Sequence, residues 1–286
     1  MREARFPIAG GLTLRGDEGG DPQAPCVVLM HGGGQTRHSW IGAGKALLAS
    51  GYHVINFDAR GHGESDWAGP GGYSRKHHAD DLREILRGND RPVALVGASL
   101  GGATALRAMA DGLRPAALVL VDIVPNPDPK GVARIRAFMQ AQPDGFETLD
   151  AAADAIAAYN PHRRRPADLE GLKRNLRQRA DGRYRWHWDP AFLGRDVDVE
   201  LVELADTVEG ARVGGDIPAL LIRGMSSDVV DDAGAAKLAD VLPQLETFDV
   251  AGAGHMVAGD RNDAFNAGML QFLARHFPAD ASTVRA

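Results

Sequence analysis

Ser99 stands in the run Gly97-Ala98-Ser99-Leu100-Gly101, where a short apolar segment (residues 93–97) meets a helical pattern. Two chemistries suit a serine so placed. Small residues two before and two after it permit a sharp strand-to-helix turn that pushes its hydroxyl out as a nucleophile. A glycine-rich turn before a helix can instead cradle cofactor phosphates, and Asp122, ending the next strand, stands where a ribose-binding acid would be. The G-x-G-x-x-G pattern is absent, the loop follows an inner strand, and no Tyr-x-x-x-Lys pair is present. The nucleophile reading is therefore preferred.

A serine hydroxyl needs a base within reach and an acid that orients the base. His255 lies in the glycine-flanked "AGAGHM" after the last apolar run, and Asp228 lies in "RGMSSDVV" after the preceding one. Serine, acid, histidine is the chain order expected of such a triad. Asp122 is the alternative acid. Asp228 is favoured, because it sits four residues beyond Gly224 in a small-residue loop able to fold back, whereas Asp122 immediately precedes a proline-rich exit. The glycines of "LMHGGGQTRHSW" can turn backbone N–H groups toward a developing oxyanion. His31 is read as a brace of that loop. "DARGHGESD" (58–66) is read as a structural turn tied together by Asp58 and Arg60. In "KHHADD" the residues His77, His78 and Asp81 are read as a solvated helix face, because no third ligand makes a metal site.

The elements that position these residues follow a rhythm. Buried parallel strands are expected at 26–30, 53–58, 93–97, 117–122 and 219–224, with a weaker sixth at 246–252. They are short, β-branched runs bounded by Gly, Pro or Asp. Helical patterns between the first five imply crossovers and a mostly parallel sheet. "ARFPI" and "LTLRG" predict an antiparallel hairpin at the sheet edge. After Asp122 the rhythm stops: three prolines in "VPNPDPKG" lead into an Ala- and Arg-rich helical stretch ending in the aromatic cluster "YRWHWDPAFL". This predicts a helical insertion between two strands, with a core of residues 1–124 and 212–286 around an inserted 125–211.

The 286 residues, 44% of them hydrophobic, suffice for one large α/β domain with an insertion. A net charge of −6 with mixed signs argues against a nucleic-acid partner, and the basic "HRRRP" (162–166) is read as a solvated helix entrance. Cys26, the one cysteine, excludes an internal disulfide and fits a reducing compartment. With no run of eighteen apolar residues and no apolar leader, a cytoplasmic protein without a membrane partner is expected.

"HGGG" (31–34), "DARGHGESD", "GASLGG" (97–102), "SSD" (226–228) and "GAGHM" (252–256) together resemble the α/β-hydrolase superfamily, over residues 25–275. The resemblance implies an α/β-hydrolase fold, with 125–211 as a helical cap of the kind found in esterases, cofactor-free perhydrolases and epoxide-hydrolase-like sequences. Epoxide hydrolases carry an aspartate at the elbow, where this chain has Ser99. Carried over, the family pattern implies a Ser99–Asp228–His255 triad and an oxyanion hole from the N–H groups of Gly33 and Leu100. Gly34 is the adjacent candidate. Trp186, His187 and Trp188 are expected either in the core of the cap or in the pocket wall, with a tryptophan at the substrate. No cofactor and no metal is implied. The expected activity is hydrolysis of a small-molecule carboxylic ester through an acyl-enzyme. Lactonase, perhydrolase and carbon–carbon bond hydrolase are alternatives on the same triad, and a non-catalytic ligand receptor is the alternative of another class.

Overall fold

The computed structural model describes residues 1–161, 165, 167–211, 216–255 and 262–279. Its main sheet has eight strands: β1 (Arg2–Pro7), β2 (Thr13–Gly19), β3 (Cys26–Met30), β4 (His53–Phe57), β5 (Val93–Ala98), β6 (Ala117–Val121), β9 (Ala219–Gly224) and β10 (Leu245–Val250). A separate antiparallel pair, β7 (Leu176–Gln178) and β8 (Tyr184–Trp186), lies between β6 and β9 in the chain. The order across the main sheet is β1-β2-β4-β3-β5-β6-β9-β10. Only the pairings of β2 with β1 and β4 are antiparallel, so the N-terminal hairpin forms one edge.

Central strands are buried on both faces, as helix-flanked parallel strands must be. Side chains alternate between the faces with a period of two. Val28, Leu95, Leu118, Leu120 and Leu221 join one core cluster. Val27, Val96, Val119, Leu220 and Ile222 join the other. The second is closed by α1 (Ile41–Ala49) and the C-terminal helix α9 (Asn262–His276), with the Trp40 and Phe265 rings tilted against each other. The first is closed by α2 (Arg75–Ile85), α3 (Leu100–Ala110) and α8 (Asp232–Val241).

Between β6 and β9 the chain forms α4 (Pro129–Gln140), α5 (Leu149–Tyr159), the single turn α6 (Leu169–Leu172) and α7 (Val197–Ala211). Asp128 and Thr148 start α4 and α5 with side-chain caps. Met139, Phe146, Ala152, Leu172, Trp186 and Trp188 form an apolar cluster of their own. The last helix behaves otherwise: α7 packs on α3, and its Leu204 and Val208 belong to the sheet-facing core. The aromatic cluster also differs from the helical expectation, because 184–186 is a strand, paired across an Asp181-Gly182 turn. Of "HRRRP" only Arg165 is described, and it pairs with Asp150 and Asp154. Among the described residues no helix is long and apolar enough to cross a membrane.

Candidate active site

Ser99 has φ 44° and ψ −107°, a conformation that L residues avoid and that functional turns retain. The surrounding glycines are obligatory. A Cβ on Gly97 would lie 2.4 Å from the Gly101 carbonyl carbon, and one on Gly101 would lie 2.2 Å from the Met30 oxygen. The elbow is thus wedged against β3 and leads directly into α3, whose N-terminal residue is Leu100.

Sheet register then decides which acid is near. Ala98 pairs with Val121 and Val121 with Ile222, so Ser99 and Asp122 leave adjacent parallel strands at the same level. The Ser99 N–H donates to the Val121 carbonyl at 3.0 Å. Asp122, also at positive φ (49°), turns its carboxylate toward the β9 and β10 ends. His255 Nδ1 lies 2.6 Å from Asp122 Oδ2. The Ser227 hydroxyl donates to the same oxygen at 2.6 Å, and the Gly224 N–H donates to Oδ1 at 3.2 Å. The Asp122 side chain is 1% exposed, and these donors replace its lost water. With Nδ1 facing the carboxylate, Nε2 is the nitrogen left for proton transfer. The His255 loop comes this close because Gly224 lacks a Cβ, which would meet the Ala253 and Gly254 oxygens at 2.4 Å.

The expected place of Asp228 beside His255 is corrected. Asp228 does not reach His255: its carboxylate pairs with Arg134 at 2.7 Å, and its side chain is 37% exposed. The cause is local. Gly131 lets α4 approach the 226–229 loop so closely that a Cβ there would stand 2.1 Å from the Asp228 oxygen. Asp228 is thereby held beside α4, and it is Ser227 that turns toward the sheet edge.

Ser99 and His255 line two cavities of about 150 and 280 Å³ that share the Gly33 wall. The loop 32–34 meets Ser99 directly, since a Cβ on Gly32 would lie 3.5 Å from the Ser99 Cβ. Two neutral histidines fix this loop. His31 Nε2 accepts from the Ala59 N–H at 2.9 Å, so its Nδ1–H donates to the Gly32 carbonyl at 2.8 Å. His187 Nδ1 accepts from the Gly63 N–H at 2.7 Å, so its Nε2–H donates to the Gly34 carbonyl at 3.2 Å. Burial lowers the pKa of both, well below the ordinary value for His187, which keeps each with one donor and one acceptor nitrogen. His62, between them, is driven down to about 3 by burial and then by His31. The expected bracing role of His31 is thus visible in its contacts; His187, expected in the cap core or pocket wall, braces the same loop from the inserted segment.

Trp186 and Trp188 stack 5.0 Å apart and line the larger cavity, and Trp188 lies beside Gly34. Phe192 roofs Gly33 and had not been singled out from the sequence. Asp58 takes Arg37, and Arg60 grips Asp81 through Nε at 2.6 Å, so "DARGHGESD" is the expected structural knot. The expected solvated face of "KHHADD" is corrected: His78 and Asp81 are buried, because Arg60 neutralises Asp81 and His78 packs toward Phe192. His77 closes a capping box with Ser74. Among the described residues no three His, Cys, Asp or Glu side chains are grouped to hold a metal. Met256, at the end of "GHM", lies outside the described residues.

The family model of the alpha/beta hydrolase fold matches residues 25–261. Esterase Rv0045c of Mycobacterium tuberculosis is 33% identical over 232 residues, covering 75% of this chain and 71% of the esterase. The solved structure of that esterase covers 95% of this chain and 90% of its own, with a TM-score of 0.73 at 30% identity. The 2-(acetamidomethylene)succinate hydrolase of Mesorhizobium japonicum is 30% identical over 262 residues, 87% of each chain. An alpha/beta hydrolase from Novosphingobium aromaticivorans superposes with a TM-score of 0.79 at 26% identity, over 96% of this chain and 98% of its own. A parallel sheet that ends in a strained serine elbow, together with these matches, supports hydrolase activity and establishes that the chain belongs to the α/β-hydrolase fold family.

Proposed function

We propose that the protein is a serine hydrolase of carboxylic esters, with Ser99 as nucleophile, His255 as base and Asp122 as the orienting acid. The observation that carries this reading is the 2.6 Å contact from His255 Nδ1 to a buried Asp122 carboxylate, beside a serine on a strained elbow. The likeness to an esterase at 33% identity supports it.

In this reading His255 Nε2 takes the Ser99 proton as Oγ attacks the ester carbonyl carbon. The Leu100 N–H, unpaired within the helix as its first residue, and the Gly33 N–H receive the developing oxyanion. His255 then gives its proton to the leaving alcohol as the carbon–oxygen bond breaks. Water, deprotonated by the same nitrogen, attacks the acyl-enzyme, and Ser99 recovers its proton from His255 as the acid leaves. The segment from Pro125 to about Leu193 acts as a cap that keeps the cavities apolar, with Trp186 and Trp188 shaping the larger one.

Turnover of short-chain p-nitrophenyl esters by wild type and Ser99→Ala tests the proposal. The variant is expected to fold and to lose a factor on the order of 10⁶ in kcat, as when a triad serine is removed. Equal turnover by the two proteins would end the reading, and absence of ester turnover by wild type would favour the receptor alternative.

A further inference from the structure

The smaller cavity beside Ser99 contains an excess of positive charge. Its wall includes Arg75, Arg136, Arg195 and Glu200 among apolar side chains. Arg136 pairs with the Glu200 carboxylate at 3.2 Å and also donates to the Leu193 and Arg195 carbonyls. Arg195 pairs with Glu203 at 2.6 Å. Those pairings engage both carboxylates in direct contacts. Arg75 has only the Glu200 backbone carbonyl, at 2.6 Å, and its buried Nε has no partner. Among the described residues it forms no ion pair. It also opens α2, where a cation works against the helix dipole. Buried charges are ordinarily paired, but here three half-buried guanidinium groups share two carboxylates, Glu200 and Glu203 attracting Arg75 only through space, so the cavity wall keeps one positive charge in excess and suits an anion.

We propose that Arg75 is an anion subsite and that the substrate is an ester carrying a second, ionised carboxylate. This deepens the ester-hydrolase reading and rests on it. One unpaired guanidinium matches a singly charged carboxylate. The Val132, Ile135, Leu201 and Leu204 side chains that line the same cavity suit a short aliphatic chain. Glu200 does not repel such a group from Arg75, because Arg136 neutralises it.

Two matched substrate pairs test the proposal by pH-stat kcat/KM. Monomethyl glutarate against methyl hexanoate puts the charge on the acyl side, and 4-acetoxybutyrate against pentyl acetate puts it on the alcohol side. Wild type is expected to prefer the anionic member of one pair by at least about tenfold, the scale of one charge-assisted hydrogen bond. That ratio is expected to fall toward one in Arg75→Gln and to survive largely in Arg75→Lys. Preference for the neutral ester in both pairs, or an unchanged ratio in Arg75→Gln, would overturn the subsite. If no ester is turned over, the hydrolytic reading has failed, and calorimetry with the Ser99→Ala protein decides the subsite separately. Monomethyl glutarate bound at least tenfold more tightly than methyl hexanoate, with the difference lost on adding Arg75→Gln, supports it. Equal binding or none refutes it.

Discussion

Two loops at the carboxyl edge of the sheet each present an aspartate, and they use it in opposite ways. Asp122, after β6, is buried and accepts from Gly224 and Ser227 while facing His255. Asp228, after β9, is partly exposed and paired with an Arg134 side chain that is itself 49% exposed. A surface pair of that kind contributes about 0–1 kcal/mol. A buried carboxylate held by several donors is instead a fixed charge that can hold an imidazole in one tautomer and orientation. The difference teaches that distance from a strand end does not decide which carboxylate meets the histidine; the donors waiting for its oxygens do.

Removing the charge from each loop gives the sharpest contrast. Asp122→Asn is expected to lower kcat by about 10⁴, the scale of a triad whose histidine is left in the wrong tautomer. Steady-state ester kinetics reads this, and a loss below tenfold would break the assignment. Acid tests the buried histidines around the 31–34 and 58–66 loops. His31, His62, His78 and His187 all have pKa values lowered by burial, so the folded protein keeps them neutral. Unfolding lets them take up protons near their ordinary value of about 6.5. The unfolded state therefore binds more protons below that pH, and stability is lost as pH falls, down to about 3 in the case of His62. Each contributes at most about 1.4 kcal/mol per pH unit, so a loss on the order of several kcal/mol is expected between pH 7 and pH 5. Urea midpoints at the two values check it; equal midpoints would contradict the neutral cluster.

Smaller effects refine the same comparison. Ser227→Ala removes one donor from Asp122 Oδ2 and is expected to cost about tenfold in kcat, the low end for a hydrogen bond to a charged group. Kinetics identical to wild type would mean that Gly224 and His255 suffice. Asp228→Asn, which loosens only the Arg134 pair, is expected to change kcat by less than about threefold. A loss of a hundredfold would restore Asp228 as the acid.

Most of the sheet was legible because buried parallel strands are short β-branched runs with clear punctuation; all six expected runs became strands, the weaker sixth at the far edge, and the N-terminal hairpin formed as read. The strained turn at Ser99 was legible because an elbow needs small residues at fixed offsets, and the place of His255 at the same sheet edge because of its glycine-flanked position after the last strand. Which carboxylate faces His255 was not, since it depends on β5–β6–β9 register and on Gly131 drawing Asp228 to α4, both of which are contacts between distant residues. The β7–β8 pair did carry a signal, the Asp181-Gly182 turn between alternating residues, which the surrounding helical composition obscured. His78 and Asp81 looked polar and solvated because the charge that buries them, Arg60, comes from another loop.

The most direct test of the account is the second-order rate at which a fluorophosphonate labels the protein, with the modified residue located by peptide mass. Wild type is expected to carry one label, on Ser99; Asp228→Asn should label at close to the wild-type rate, Asp122→Asn far more slowly, and Ser99→Ala not at all. Labelling at a residue other than Ser99, or a rate that falls in Asp228→Asn and holds in Asp122→Asn, would contradict it.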